Sequence, residues 1–246
     1  MYHPTIKASA RARALLVLLL LASVALPAVA IARTHPARHR HHHRRHHKRK
    51  HPTHAARTIT WGSSLTGDPT QTIPGRYAQD AEFWMTGIGS APLPGVQPVA
   101  VAPLSGRIKA VRLKVGDDSA DVPLRFSVVQ PLSGGRTEVL TTSTPHLILP
   151  AHSPGVHTFD FSQLQFGMPI NKGDYLTVDT PGVEPSAMYW YAAVPGSTSE
   201  LYTAHGPTQD PGYVRTPQIS VPNLELLMQV IEQPGASYRF HVPPVS

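Results

Sequence analysis

The 246-residue sequence contains no cysteine, which excludes disulfides, thiolate nucleophiles and zinc sites built on thiolates. Stability must therefore come from the core alone. About 190 residues follow Thr58, a length at which a domain buries roughly 70% of its unfolded surface without staples. Acidic residues are missing from the first quarter of the chain: none precedes Asp68. Catalytic spacings are missing too, with no Gly-x-Ser-x-Gly, no His-Glu-x-x-His and no Gly-rich phosphate loop. No cofactor is expected.

Positive charge is unevenly placed. Lys7, Arg11 and Arg13 precede an apolar run, and nine Lys/Arg lie between Arg33 and Arg57. From Thr58 onward there are 10 Lys/Arg against 15 Asp/Glu. The net charge of +7 thus belongs to the N-terminal part, and the mildly acidic remainder offers no cationic footprint for specific nucleic-acid binding.

Residues 14–32 are uncharged, include seven consecutive apolar residues from Leu15 to Leu21, and end in Pro27-Ala28-Val29-Ala30. A basic start, an apolar middle and small residues at the end form the grammar of a signal peptide, with the cut expected after Ala30 and a second site after Ala32. The alternative is an uncleaved membrane anchor over 14–32, the one route by which a membrane would be a partner. The cations just beyond the run oppose translocation, and taken alone would hold the rest of the chain in the cytoplasm. The expected location is secreted or extracytoplasmic, in the cell envelope.

Residues 31–57 form a His/Arg-rich tail with nine histidines and too little apolar surface to offset ordering entropy, so disorder is expected. His41, His42 and His43 are candidate metal ligands. Arg38, Arg40, Arg44, Arg45, Lys48, Arg49 and Lys50 are candidate contacts for an anionic envelope polymer. A solvated spacer is the plainer reading.

Beyond Thr58 the texture changes to short apolar runs punctuated by 22 prolines, which leaves little room for helices. Alternation and β-branching predict strands at Thr58–Gly62, Ala78–Met85, Val99–Pro103, Gly106–Val115, Leu124–Gln130, Glu138–Thr142, Val156–Phe161, Asp174–Asp179, Ala187–Ala192 and Leu201–Ala204. Leu224–Ile231 fits a helical stripe through Leu224, Leu227, Met228 and Ile231, or a strand through Leu226, Met228 and Val230; a strand is expected. Tyr238–Val242 reads as a final edge strand. The fold class is all-β, a single jelly-roll-like sandwich over 106–246, with 58–105 as an N-terminal β extension packing on it.

Gly106-Arg107-Ile108-Lys109-Ala110-Val111-Arg112-Leu113, continued by Pro123–Val128, resembles the opening strands of a jelly roll. Val156–Phe161 followed by Asn171-Lys172-Gly173-Asp174-Tyr175-Leu176 resembles a strand leading through a Lys-Gly-Asp turn back into the core. This phrasing is similar to uncharacterised secreted sandwich domains of GC-rich bacteria, and more distantly to carbohydrate-binding modules. It covers 106 to about 233 and implies a fold without an activity.

Three constellations remain as site candidates. Asp117, Asp118 and Asp121 share a turn and are hard oxygen ligands at spacing a calcium ion could use, although the glycine and closing glutamate of an EF-hand are absent. In Met188-Tyr189-Trp190-Tyr191, strand alternation would place Tyr189 and Tyr191 on one face as a surface for sugar rings, with Trp190 opposite; core filling is the competing reading, and Trp84 has the same ambiguity. For catalysis, the acids Asp68, Asp80 and Glu82 and the histidines His146, His152, His157 and His205 have no partner fixed by a motif, and His157 with Asp160 is the first pair to examine. The expected function is a non-catalytic binding or surface module for polysaccharide or cell-wall material. The alternatives are a secreted hydrolase-type enzyme and a purely structural envelope protein.

Overall fold

Short β-branched and aromatic runs, cut by proline and glycine, form strands, and among the described residues there is no α-helix. The structure, a computed structural model, describes residues 57–72, 81–143, 147–161, 167–182, 189–203 and 210–239. In chain order the strands are β1 (Ile59–Gly62), β2 (Ala81–Gly87), β3 (Val96–Gln97), β4 (Gly106–Val115), β5 (Val122–Pro131), β6 (Thr137–Thr142) and β7 (Leu147–Leu149). They continue with β8 (Gly155–Asp160), β9 (Met168–Ile170), β10 (Tyr175–Thr180), β11 (Tyr191–Thr203), β12 (Val214–Arg215), β13 (Ile219–Leu226) and β14 (Met228–Pro234).

The strands make two sheets arranged as a sandwich. One runs β3-β1-β14-β4-β8, with β9 pairing the remainder of β4; the other runs β12-β6-β5-β10-β2-β11-β13, with β7 pairing the start of β5. All pairs are antiparallel except β1 with β3. The shared core takes Val111, Leu113 and Val115 from β4, Leu124, Phe126 and Val128 from β5, and Ala81, Phe83 and Met85 from β2. Each set obeys the period of two that sends alternate side chains inward. In β4 the inward phase jumps from Ile108 to Val111, because Lys109 is an extra residue opposite β14, where Ile231 faces Ala110 and Glu232 faces Ile108.

The segment 58–105 contributes to both sheets: β1 pairs with β14, and β2 lies between β10 and β11. The expected strand at Val99–Pro103 is absent. Pro98 and Pro103 remove ladder donors there, and the backbone of Ala102 instead exchanges hydrogen bonds with Gly173 and Asp174 at 2.9 Å each. Pro195 and Gly196, a turn-type dipeptide, form an irregularity inside the thirteen-residue β11, whose register on β13 shifts between Ala193 and Thr198. Gly196 takes φ 84° there. The long run at 224–231 is two strands in different sheets, joined at Leu227, whose N–H bonds the Trp190 carbonyl and whose carbonyl accepts from Lys114. The chain thus changes sheets at a corner while Leu226, Met228 and Val230 all remain in the core. Tyr238 and Arg239 are not in a strand, and the rest of that expected edge strand lies outside the described residues.

Candidate functional site

The aromatic strand expected at 187–192 does not form a two-tyrosine platform. Strand β11 begins only at Tyr191, so Tyr189 and Trp190 lie ahead of the pleat and the period of two does not govern them. Tyr189 is 43% exposed, whereas Trp190, Tyr191 and Trp84 are fully buried. Trp190 donates from Nε1 to Asp118 Oδ2 at 2.8 Å, and Phe83 meets the rings of Trp190 and Tyr191 edge to face. Phe83, Trp190 and Tyr191 fill the core, whereas Trp84 is buried on the opposite face of β2.

The acidic turn is also accounted for without a cation. Asp118 accepts the Trp190 indole and the Tyr189 N–H, Asp121 accepts the Ala151 N–H at 2.8 Å, and Asp117 pairs with His152 Nδ1 at 2.9 Å. Among the described residues no three His, Asp or Glu side chains come together as a metal site. The expected calcium ligands therefore face three different partners. Burial raises the Asp118 carboxyl above its ordinary value, and its two hydrogen bonds act against that shift.

Of the described histidines, His152 pairs with Asp117, whereas His157 and Asp160 do not meet. His157 and Asp160 are three residues apart on β8 and point to opposite faces, His157 toward the side of the buried Phe159. His157 Nε2 donates to the Ser153 carbonyl at 2.6 Å. The Ser153 hydroxyl donates to the Pro150 carbonyl. Asp68 is exposed. Asp80, His146 and His205 lie outside the described residues, as do His41, His42, His43, Arg38, Arg40, Arg44, Arg45, Lys48, Arg49 and Lys50.

A different face gathers polar and aromatic groups. On the outer side of the eight-stranded sheet, Arg125, Asp179, Glu82 and Tyr202 stand side by side across β5, β10, β2 and β11. Two carboxylates facing each other would repel. Each has its own arginine: Arg125 Nε donates to Asp179 Oδ2 at 2.8 Å, and Arg215 from β12 pairs with Glu82. Glu82 also accepts the Thr177 hydroxyl. Glu82, Asp179, Thr177 and Arg215 are all buried. The Arg215 guanidinium lies 5.4 Å from the Tyr202 ring centroid and 6.0 Å from that of Trp84, within cation–π range.

Above this layer two tyrosines reach the surface. Tyr213 is 38% exposed and is held along β6 by backbone hydrogen bonds through Val139 and Asp210. Its hydroxyl meets that of Tyr202 at 3.0 Å, with ring centroids 6.5 Å apart and tilted by 58°. Partial burial and the Tyr213 hydroxyl push the Tyr202 phenol up to about 12, so its ring is neutral at ordinary pH. Two residues along β2, Trp84 stands opposite Glu200, whose carboxyl burial raises while the Trp84 and Thr86 side chains act the other way. The face combines fixed aromatic rings with hydrogen-bonding groups, and the carboxylates of Asp179 and Glu82 on it are each paired with an arginine.

Sequence reasoning passed over Tyr202, Tyr213 and Arg215. Tyr202 fell inside the expected short strand Leu201–Ala204, and the two-residue β12 is too brief to show a period. The one available signal was the aromatic and arginine spacing of Tyr213 and Arg215, which places both two residues apart in a Pro-flanked segment. No protein-family model matches the chain, and no curated protein matches it either.

Proposed function

We propose that the chain is a non-catalytic extracytoplasmic module that binds polysaccharide or cell-wall material through the outer face of its eight-stranded sheet. The observation that carries this reading is the Tyr202–Tyr213 pair. These are surface rings fixed by a hydroxyl–hydroxyl bond and, for Tyr202, by the buried Arg215 behind it. Sugar rings bind to aromatic faces by apolar contact and C–H contacts with the π-system, and rings already held in place lose little entropy on binding. The signal-peptide grammar of residues 14–32 supports an extracytoplasmic setting, and the cationic tail supports a second contact with an anionic envelope polymer.

Glycan-array and wall-fraction binding by the chain from residue 31 tests the reading, with Tyr213→Ala as control. Retention of a glycan by the wild type and its loss in the variant would support the site. The burial of Trp61, Trp84, Trp190 and Tyr191 favours a second reading, a purely structural envelope protein. That reading is the one left standing if no glycan or wall fraction is retained.

A further inference from the structure

Glu232 is a carboxyl on the wrong face of its strand. The inward residues of β14 are Met228 and Val230, and the next position in that phase is Glu232. It is fully buried, with Ile59 of β1 opposite it on one side and Ile108 of β4 on the other. Ile108 in turn faces Met168 of β9. One carboxyl oxygen, Oε2, accepts the Trp61 indole N–H at 2.9 Å. The other, Oε1, is buried without a hydrogen-bond partner among the described residues. It lies where a side chain on Gly106 would come within 2.9 Å, so the backbone of β4 closes over it.

Charged groups of the packed elements do not face this oxygen. On β4, Arg107 and Lys109 flank the inward Ile108, and Arg107 is engaged with Tyr238 through a 2.6 Å hydrogen bond. On β1 the contact is Trp61, and on β14 the flanking residues are Ile231 and Gln233. Among the described residues a charge placed here has one hydrogen bond, from Trp61, which is the costly arrangement for a buried ion.

We propose that Glu232 is a pH-sensitive latch for β1, the strand by which the chain enters the sandwich: neutral, its carboxyl keeps β1 docked on β14, and ionised, it favours release of β1. The strand is suited to this because it is only four residues long and its other neighbour is the two-residue β3. Burial lifts the carboxyl from 4.5 to about 7, with the Trp61 N–H opposing. Because the docked-state value is raised, the proton favours the docked state. Docking is strongest in acid, weakens as pH climbs from the ordinary carboxylate range, and levels off above the docked value. If the carboxyl regains its ordinary value on release, the opening constant of β1 rises roughly 30-fold between pH 5.5 and pH 8.

The test is hydrogen exchange on the full chain at both pH values, corrected for intrinsic exchange, comparing amides of 59–62 with those of the central strands β5 and β10. The latch predicts that at both pH values 59–62 exchange through an opening of lower free energy than β5 and β10, that their protection falls at pH 8, and that this fall is absent in Glu232→Gln. Equal protection of 59–62 at both pH values, the same pH response in the variant, or exchange of 59–62 at the same free energy as β5 and β10 would overturn it. If the variant fails to fold, a carbon-13 titration of the Glu232 carboxyl in the wild type decides: a midpoint near 7 supports the latch, and one near the ordinary value overturns it.

Discussion

Removing Arg215 should be among the most damaging single changes in the domain. Its side chain and that of Glu82 are both inaccessible to solvent, and the pair sits beneath Tyr202 and beside Trp84. Arg215→Met leaves a carboxylate buried with the Thr177 hydroxyl as its remaining described partner. Breaking one side of a buried ion pair typically costs about 3–5 kcal/mol, most of it the uncompensated charge. Loss of the two ring contacts adds about 0.5–1 kcal/mol each. Against a total stability of roughly 5–15 kcal/mol, the variant should be marginal. Replacing both partners, Arg215→Met with Glu82→Leu, removes the stranded charge and should recover most of the loss. Urea unfolding at pH 7 of the wild type, both single variants and the double variant gives the cycle. The expected coupling is about 2 kcal/mol or more. A loss below about 1 kcal/mol in Arg215→Met, with additive single effects, would refute the claim that the pair is buried and interdependent.

Further outcomes follow from the same geometry. Asp118→Ala strands the Trp190 indole and the Tyr189 N–H and should cost about 2–4 kcal/mol in urea unfolding; a loss within 0.5 kcal/mol would remove Asp118 as the anchor of that corner. Gly62 has φ 107° and a methyl there would meet the Met228 carbonyl at 2.6 Å, so Gly62→Ala should lower the melting temperature clearly, and an unchanged value would contradict the register of β1. Burial lifts Asp174 to about 6, so its contribution favours the fold in acid and declines as pH rises from its ordinary value of 3.8 toward 6. Asp174→Asn should flatten that slope in unfolding midpoints taken at pH 4, 5 and 7; an identical slope in the variant would count against it. A peptide of residues 33–57 should bind an anionic polymer more tightly at pH 5.5 than at 7.5 and weaken with salt, as its histidines charge; equal binding at both pH values would leave the segment as a spacer or metal ligand.

Where the sequence carried a strong two-residue period, it disclosed the fold. Gly106–Val115 has the bounds expected of it, and β5, β6, β8 and β10 lie within two residues of theirs at each end. Local pattern could not show that Leu227 is a corner between sheets, since an apolar run reads the same on either side of it. Nor could it show that Pro195-Gly196 bends a strand instead of ending it, because the same two residues serve a turn and a bulge. The short β7, β9 and β12 are set by the strands they pair with. The site was harder to see for the same reason. Glu82, Tyr202 and Arg215 come from β2, β11 and β12, with Tyr213 just ahead of β12, and their meeting depends on strand order. In Tyr189-Trp190-Tyr191, adjacent in sequence, Trp190 and Tyr191 are buried while Tyr189 is exposed, a split that local alternation does not give.

The most direct test of the polysaccharide reading is a paired binding measurement on whichever glycan or wall fraction retains the wild-type chain from residue 31. Tyr213→Ala and Tyr189→Ala both remove one exposed ring, so each should fold with a melting temperature close to the wild type. The account predicts that Tyr213→Ala weakens binding by roughly tenfold or more while Tyr189→Ala leaves it unchanged. Equal affinity for the wild type and Tyr213→Ala, or a loss confined to Tyr189→Ala, would contradict the placement of the binding face on the Tyr202–Tyr213 pair.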